Sequence, residues 1–70
     1  MLNINEAVQK IKKVGSANVR IVPMDGQAGL TGMHKIEIKD QGTWFTVVEG
    51  VQKRMAEDIV TQAVNKVILG

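Results

Sequence analysis

Two adjacent cations stand at the start of a predicted helix near the C-terminus. In VEGVQKRMAEDIVTQAV, residues 48–64, Lys53 and Arg54 fall in the first helical turn. The helix dipole places partial positive charge at this end, so acidic residues are the favoured choice there. Two cations beside the free N–H groups of a helix start attract an anion such as nucleic-acid phosphate. The alternative is a solvated helix face, in which each cation pairs with the carboxylate four residues further along, Glu57 or Asp58.

The remaining residues that could do chemistry form no catalytic pattern. His34 is the only histidine and there is no cysteine, so a Cys–His or Ser–His nucleophile has no candidate constellation. A zinc site would have to rely on carboxylates for nearly all its ligands. The carboxylates are scattered along the chain and offer no acid–base pair. We therefore expect a non-enzymatic protein with no metal and no cofactor.

The composition is that of a small globular domain with a slight excess of positive charge. A hydrophobic fraction of 44% in 70 residues is enough for one packed domain and too high for disorder. The net charge of +2 permits binding to a polyanion without arguing for it. No apolar run approaches the roughly 18 residues of a membrane helix, and MLNINEAVQK lacks the pattern of a signal peptide. We expect a cytoplasmic location.

The first element that these patterns predict is a helix from about Ile4 to Val14. Asn3 can cap its start, with Glu6 three residues later, and Gly15 fits the position that ends a helix. The apolar residues recur at the three-four spacing of one helical face: Ile4, Ala7, Val8, Ile11 and Val14. The other face is polar and carries Asn5, Glu6, Gln9, Lys10, Lys12 and Lys13.

Three strands are predicted next, in NVRIVPM, MHKIEIKD and TWFTVVEG. Pro23 cannot donate to a ladder, so the first strand lies at a sheet edge or ends there. DQGT, residues 40–43, is a short hairpin turn between the second and third strands. In the second strand the alternation places His34, Ile36 and Ile38 on one face. In the third it directs Phe45 and Val47 towards the core and Trp44, Thr46 and Val48 towards the outer face.

A second helix is predicted to start after Gly50. Its apolar stripe repeats every four residues and comprises Val51, Met55, Ile59, Ala63 and Val67. Both helices then have one apolar face, and so does the sheet. The simplest packing is an α+β two-layer sandwich of αβββα order, a single domain over residues 1–70 with both helices on one face of a three-stranded antiparallel sheet.

This order of elements, over nearly the whole chain, resembles the double-stranded RNA-binding domain. EGVQKRMAEDIVTQAVNKV looks like the family's junction of third strand and second helix, where a lysine pair grips phosphates across the major groove. Lys53 and Arg54 align with that pair, and Ala56 and Ala63 align with small packing positions.

Two further stretches carry the resemblance. INEAVQKIKK looks like the family's first helix, which implies that Glu6 and Gln9 contact an RNA minor groove. GQAGLTGMH stands where the family has a loop that enters a second minor groove, and Gly32 and His34 are the nearest matches. Lys13 near the end of the first helix can supplement the phosphate surface. The resemblance implies recognition of double-stranded RNA by its shape.

A second function stays open, a protein-interaction or regulatory domain on the same fold without RNA binding. It would act as a homodimer or as a modulator of a larger partner. Trp44 and Val48 on the outer sheet face would form the contact patch. The modest net charge and the acidic Glu57 and Asp58 after the basic pair favour this function.

A third possibility lays the sheet into the major groove of DNA, which requires basic residues on its outer face. Arg20, Lys35 and Lys39 are the candidates. Glu37 in their midst and Trp44 beside them disfavour this geometry.

Overall fold

The structure is a computed structural model that describes residues 3–24 and 32–69, with side chains as far as residue 64. It contains two α-helices, a short 3₁₀ turn and three strands. In chain order these are α1 (Ile4–Val14), the 3₁₀ turn (Ser16–Asn18), β1 (Val19–Pro23), β2 (Met33–Asp40), β3 (Thr43–Gln52) and α2 (Lys53–Leu69). The predicted α+β class and αβββα order are confirmed.

Helix α1 has the predicted bounds and the predicted caps. The side chain of Asn3 accepts a 2.8 Å hydrogen bond from the backbone N–H of Glu6. At the other end Gly15 adopts a φ of +85°, and its N–H donates to the carbonyl of Ile11. The 3₁₀ turn that follows was not predicted. Its Asn18 donates a side-chain N–H to the carbonyl of Val14, which satisfies an acceptor at the helix end.

The three strands form one antiparallel sheet in the order β1-β2-β3, so β1 and β3 are its edges. Pro23 closes the edge strand β1, as predicted. Asp40 pairs with Thr43 across the hairpin turn. The two residues between them, Gln41 and Gly42, have φ values of +54° and +82°, as a type I′ turn requires.

Strand β3 contains a β-bulge that reverses the predicted direction of Val48. Ile36 pairs with Val48 while Glu37 pairs with Thr46, so Val47 is an extra residue in the ladder. The bulge turns both valines towards the helices, where they are 3% and 4% exposed. The prediction that Val48 lies on the outer face is therefore wrong, because the alternation of period two stops at the bulge.

A second bulge lies at Gly50, whose φ is +75°, and it extends β3 beyond the predicted end. Val51 pairs with His34 in the sheet, and α2 starts directly after Gln52. The predicted helix start after Gly50 is therefore two residues early. The stripe of α2 is also rotated from the predicted one, since Met55 is 48% exposed. Among residues 53–64 of α2, whose side chains are described, the buried ones are Ala56, Ile59 and Ala63.

Both helices pack on the same face of the sheet, as predicted. The hydrophobic core lies between the layers, and α1, α2, β2 and β3 all contribute to it: Ala7, Val8, Ile11, Ile36, Ile38, Val47, Val48, Ala56, Ile59 and Ala63. Val19 and Ile21 of β1 lie against its margin. Ala56 and Ala63 are fully buried, which confirms them as packing positions. The opposite face of the sheet, which no described helix covers, is its outer face.

Candidate nucleic-acid interface

The chain path brings the start of both helices to one end of the sheet. At this end, the loop end, β1 finishes at Pro23, β2 begins at Met33 and β3 finishes at Gln52. Helix α2 starts here because it follows β3 without a connecting segment. Residues 15–18 connect the end of α1 to the start of β1 at the opposite end of the sheet. Because α1 packs along the sheet, we infer that its first turn lies towards the loop end. The predicted contacts in the first turns of α1 and α2 therefore share one end of the molecule.

Lys53 and Arg54 form the first two residues of α2, and both side chains are exposed. The first turn contains no acidic residue. Within the described part of the chain, neither cation forms an ion pair with Glu57 or Asp58. The ion pairs that the spacing allowed are thus not formed among the described residues. Two exposed positive charges lie beside the positive end of a helix dipole, with no carboxylate among the described residues paired to them.

The predicted contacts of α1 lie along one exposed side of that helix. Glu6, Gln9 and Lys13 are spaced by three and four residues, which places them in a single row. With Lys10 they line a shallow depression on the helix surface. At a rise of about 1.5 Å per residue, the row extends roughly 10 Å along the helix from Glu6 to Lys13. Glu6 is at the loop end, and Lys13 is in the last turn at the far end of the helix.

His34 is not at the surface, which corrects its predicted role. Its side chain is 4% exposed and faces the core with Ile36 and Ile38. Its Nδ1 lies 2.8 Å from the carbonyl oxygen of Gly32, so this nitrogen carries the proton and donates. Gly32 is buried as well. The assigned loop contact fails for His34 because strand alternation, and not the loop, determines where its side chain points. Residues 25–31 of that loop lie outside the described residues.

The outer face of the sheet is organised around one carboxylate. Glu37 accepts a 2.7 Å hydrogen bond from Nε of Arg20, and Nζ of Lys35 lies 3.5 Å from its other oxygen. Burial of this carboxyl raises its pKa. The hydrogen bond from Arg20 and the charges of Arg20 and Lys35 outweigh that effect, so the pKa of Glu37 is lowered overall. Two of the three cations proposed for a DNA groove are therefore held by Glu37.

Trp44 lies on the outer face, as predicted, but it is not an open apolar patch. The guanidinium of Arg20 covers its ring at 4.0 Å from the centroid, and the side chain is half-buried. Val48, its predicted neighbour in the patch, is in the core. The contact between Arg20 and Trp44 has no signal in local spacing, because it depends on the pairing of all three strands.

No group of three or more histidine or acidic residues is close enough to bind a metal ion in the part of the chain that the structure describes. Of the two α-helices described, neither has the length and apolar character needed to cross a membrane. The chain matches no protein-family model, no curated protein sequence and no solved structure at a significant level.

Proposed function

We propose that this protein binds double-stranded RNA through phosphate contacts at the start of α2. The observation that carries the proposal is the state of Lys53 and Arg54. Both are exposed, and within the described residues both lack an ion pair. Cations at a helix start lower the stability of the protein without a ligand, because they are repelled by the positive end of the helix dipole. A bound phosphate removes that repulsion and also accepts hydrogen bonds from the N–H groups of the first turn.

The position of α1 supports a duplex as the source of these phosphates. Glu6 lies in the first turn of α1, towards the end of the sheet where the basic pair lies, and Gln9 follows one turn further along that helix. Carboxylate and amide oxygens accept hydrogen bonds from the 2′-hydroxyls that line the RNA minor groove. We place Lys53 and Arg54 on phosphates across the major groove, Glu6 and Gln9 at the adjacent minor groove, and Lys13 further along the same helix. Such contacts read A-form shape and carry little sequence specificity.

The number of exposed cations that can contact phosphate determines the expected affinity for RNA. Two or three phosphate contacts give a shallow dependence of affinity on salt and a modest affinity. We expect binding to a duplex of about 20 base pairs with a dissociation constant in the micromolar range at low salt. A DNA duplex of the same sequence binds more weakly, because its minor groove has no 2′-hydroxyls.

The test compares RNA and DNA duplexes at about 50 and 150 mM salt for the wild type and two variants. Lys53→Ala with Arg54→Ala removes the proposed phosphate contacts, and we expect the salt slope for RNA to fall by about 1–2. Lys39→Ala is the control for the loss of one positive charge, since it removes an exposed cation from the outer face. The proposal fails if the wild type does not bind at tens of micromolar, or if the control variant loses as much affinity as the double variant.

The second candidate is a protein-interaction function without RNA binding. Its contact residues would differ from those that the sequence indicated. Trp44 and Val48 do not form the patch, because one lies under Arg20 and the other is in the core. Other large apolar side chains are more than a third exposed, namely Ile4, Met33, Phe45 and Met55. Such side chains favour a protein partner. The cytoplasmic location that we infer from the sequence suits either function.

A further inference from the structure

The two edges of the sheet differ in how they are protected against pairing with another strand. β1 is short and ends in Pro23. β3 has ten residues and contains no proline. No described segment of the chain pairs with its outer side. A regular edge strand presents unpaired N–H and C=O groups that another strand can bind, and residues 43–46 of β3 form such a stretch before the bulge at Val47.

The hairpin determines which backbone groups of β3 point outwards. Asp40 and Thr43 flank a two-residue turn and exchange both of their backbone hydrogen bonds. Pairs along an antiparallel ladder alternate between bonded and non-bonded types. Trp44 and Thr46 therefore belong to non-bonded pairs, and their N–H and C=O groups point to the free edge. Phe45 lies between them, with its backbone groups bonded to Ile38 of β2.

The same alternation accounts for the place of Pro23. Ile38 directs its backbone groups to β3, so its partner on β1, Val19, directs its own groups outwards. Two and four residues further, Ile21 and Pro23 do the same. The missing N–H of Pro23 thus falls on the outer side of β1, where no ladder bond is lost.

We propose that a second copy of this chain pairs with β3, antiparallel and centred on Phe45, to form one continuous six-stranded sheet. In this register Trp44 faces Thr46 of the second copy, and Thr46 faces its Trp44. Both residues of each pair direct N–H and C=O towards the partner, so four backbone hydrogen bonds form across a two-fold axis. This pairing does not rest on RNA binding.

The side chains agree with this register. Phe45 is the most exposed of the large hydrophobic side chains described, at 52%. At the centre of the pairing it lies directly opposite its own copy in a non-bonded pair, where side chains approach most closely. Residues 43–47, TWFTV, carry no charge, so no like charges meet across the axis. The bulge at Val47 ends the regular segment, which limits the contact to a short interface.

Such an interface is smaller than that of a permanent dimer, and we expect a dissociation constant on the order of 100 µM. Sedimentation equilibrium between about 10 µM and 1 mM measures it. Thr46→Pro removes the outward N–H without breaking a bond to β2, and we expect it to abolish the dimer. Thr46→Val is the control, since it keeps that N–H and the strand preference. A wild-type protein that is monomeric at about 1 mM overturns the proposal.

A second pair of measurements tests the register even if Thr46→Pro does not fold. Phe45→Thr keeps every backbone group, and we expect it to weaken the dimer about tenfold. Amide hydrogen exchange reports directly which backbone N–H groups lie in the dimer interface. The N–H groups of Trp44 and Thr46 gain protection as the concentration rises, while those of Thr43 and Phe45 are protected at every concentration. A dimer whose added protection lies on another surface contradicts the proposal, as does a Phe45→Thr variant that dimerises like the wild type.

Discussion

Arg20 and Trp44 meet across the full width of the sheet, with the guanidinium 4.0 Å from the centroid of the indole ring. One lies on β1 and the other on β3, so the contact bridges the central strand. Arg20 also bonds Glu37 of that strand. One side chain thus connects all three strands on the face that no described helix covers.

Removing the guanidinium should expose the indole ring to water. Arg20→Ala should shift the emission of Trp44 to longer wavelength and lower the free energy of unfolding by about 1 kcal/mol, since the arginine is partly exposed. Trp44 is the only tryptophan, so its emission reports this site alone. Lys10→Ala, which removes an exposed cation from α1 on the other side of the sheet, is the control and should leave the emission unchanged. An unshifted spectrum in Arg20→Ala would show that the indole is shielded by something else.

The lowered pKa of Glu37 should appear as a loss of stability in acid. Below the usual value of 4.5 the unfolded chain binds a proton that the folded chain still excludes. The stabilisation is therefore complete above about pH 4.5 and declines as the pH falls through the folded-state pKa. Urea unfolding at several pH values measures the decline. In Glu37→Gln the stability between about pH 3 and 5 should vary less with pH than in the wild type. Equal slopes for the two proteins would contradict this assignment.

Gly50 should tolerate asparagine better than alanine. Its φ of +75° is unfavourable for a side chain, although a Cβ there would meet no atom within 4 Å. Gly50→Ala should lower the free energy of unfolding by about 1–2 kcal/mol through backbone strain alone, and Gly50→Asn by less. Thermal unfolding of the two variants measures the difference. Equal losses would contradict an origin in the positive φ, which asparagine adopts more readily than alanine.

His34 should matter for stability and not for RNA binding. Because its ring is buried and bonds the carbonyl of Gly32, His34→Ala should lower the free energy of unfolding by about 2 kcal/mol. The folded fraction should bind duplex RNA with the affinity of the wild type. Denaturation and RNA titration on the same preparation separate the two effects. A selective loss of RNA affinity with normal stability would contradict this prediction and indicate that His34 belongs to the RNA interface.

The sequence predicts the fold well where one local rule acts alone. The apolar spacing, Asn3 and Gly15 give the bounds of α1, and the turn at Gln41 and Gly42 gives the hairpin. Prediction fails where β3 departs from regular geometry. The bulges interrupt the period of two, and Val51 happens to continue the four-residue spacing of α2 while belonging to the strand. The bulge at Val47 depends on the partner strand and has no signal in the local sequence, whereas Gly50 is a residue type that often marks a bulge.

In the candidate site, too, prediction succeeds where one local rule acts alone and fails elsewhere. The exposed position of Lys53 and Arg54 follows from spacing alone, and so does the polar row on α1. His34 shows two lines of sequence reasoning in conflict. Its alternation with Ile36 and Ile38 predicts a place on one strand face, whereas the family resemblance assigns it to a loop contact. Strand alternation prevails, since moving His34 outwards would require turning both isoleucines out of the core.

The direct junction between Gln52 and Lys53 has a consequence for how a ligand is held. A helix that leaves a strand without a linker has no hinge, so its first turn is oriented by the ladder between β2 and β3. In the proposed complex with phosphate the basic pair would therefore lose little backbone freedom, and the entropic cost of ordering would be confined to two side chains. The same rigidity means that force applied to the proposed ligand would pass into the edge strand β3, and from there through the ladder into the central strand β2.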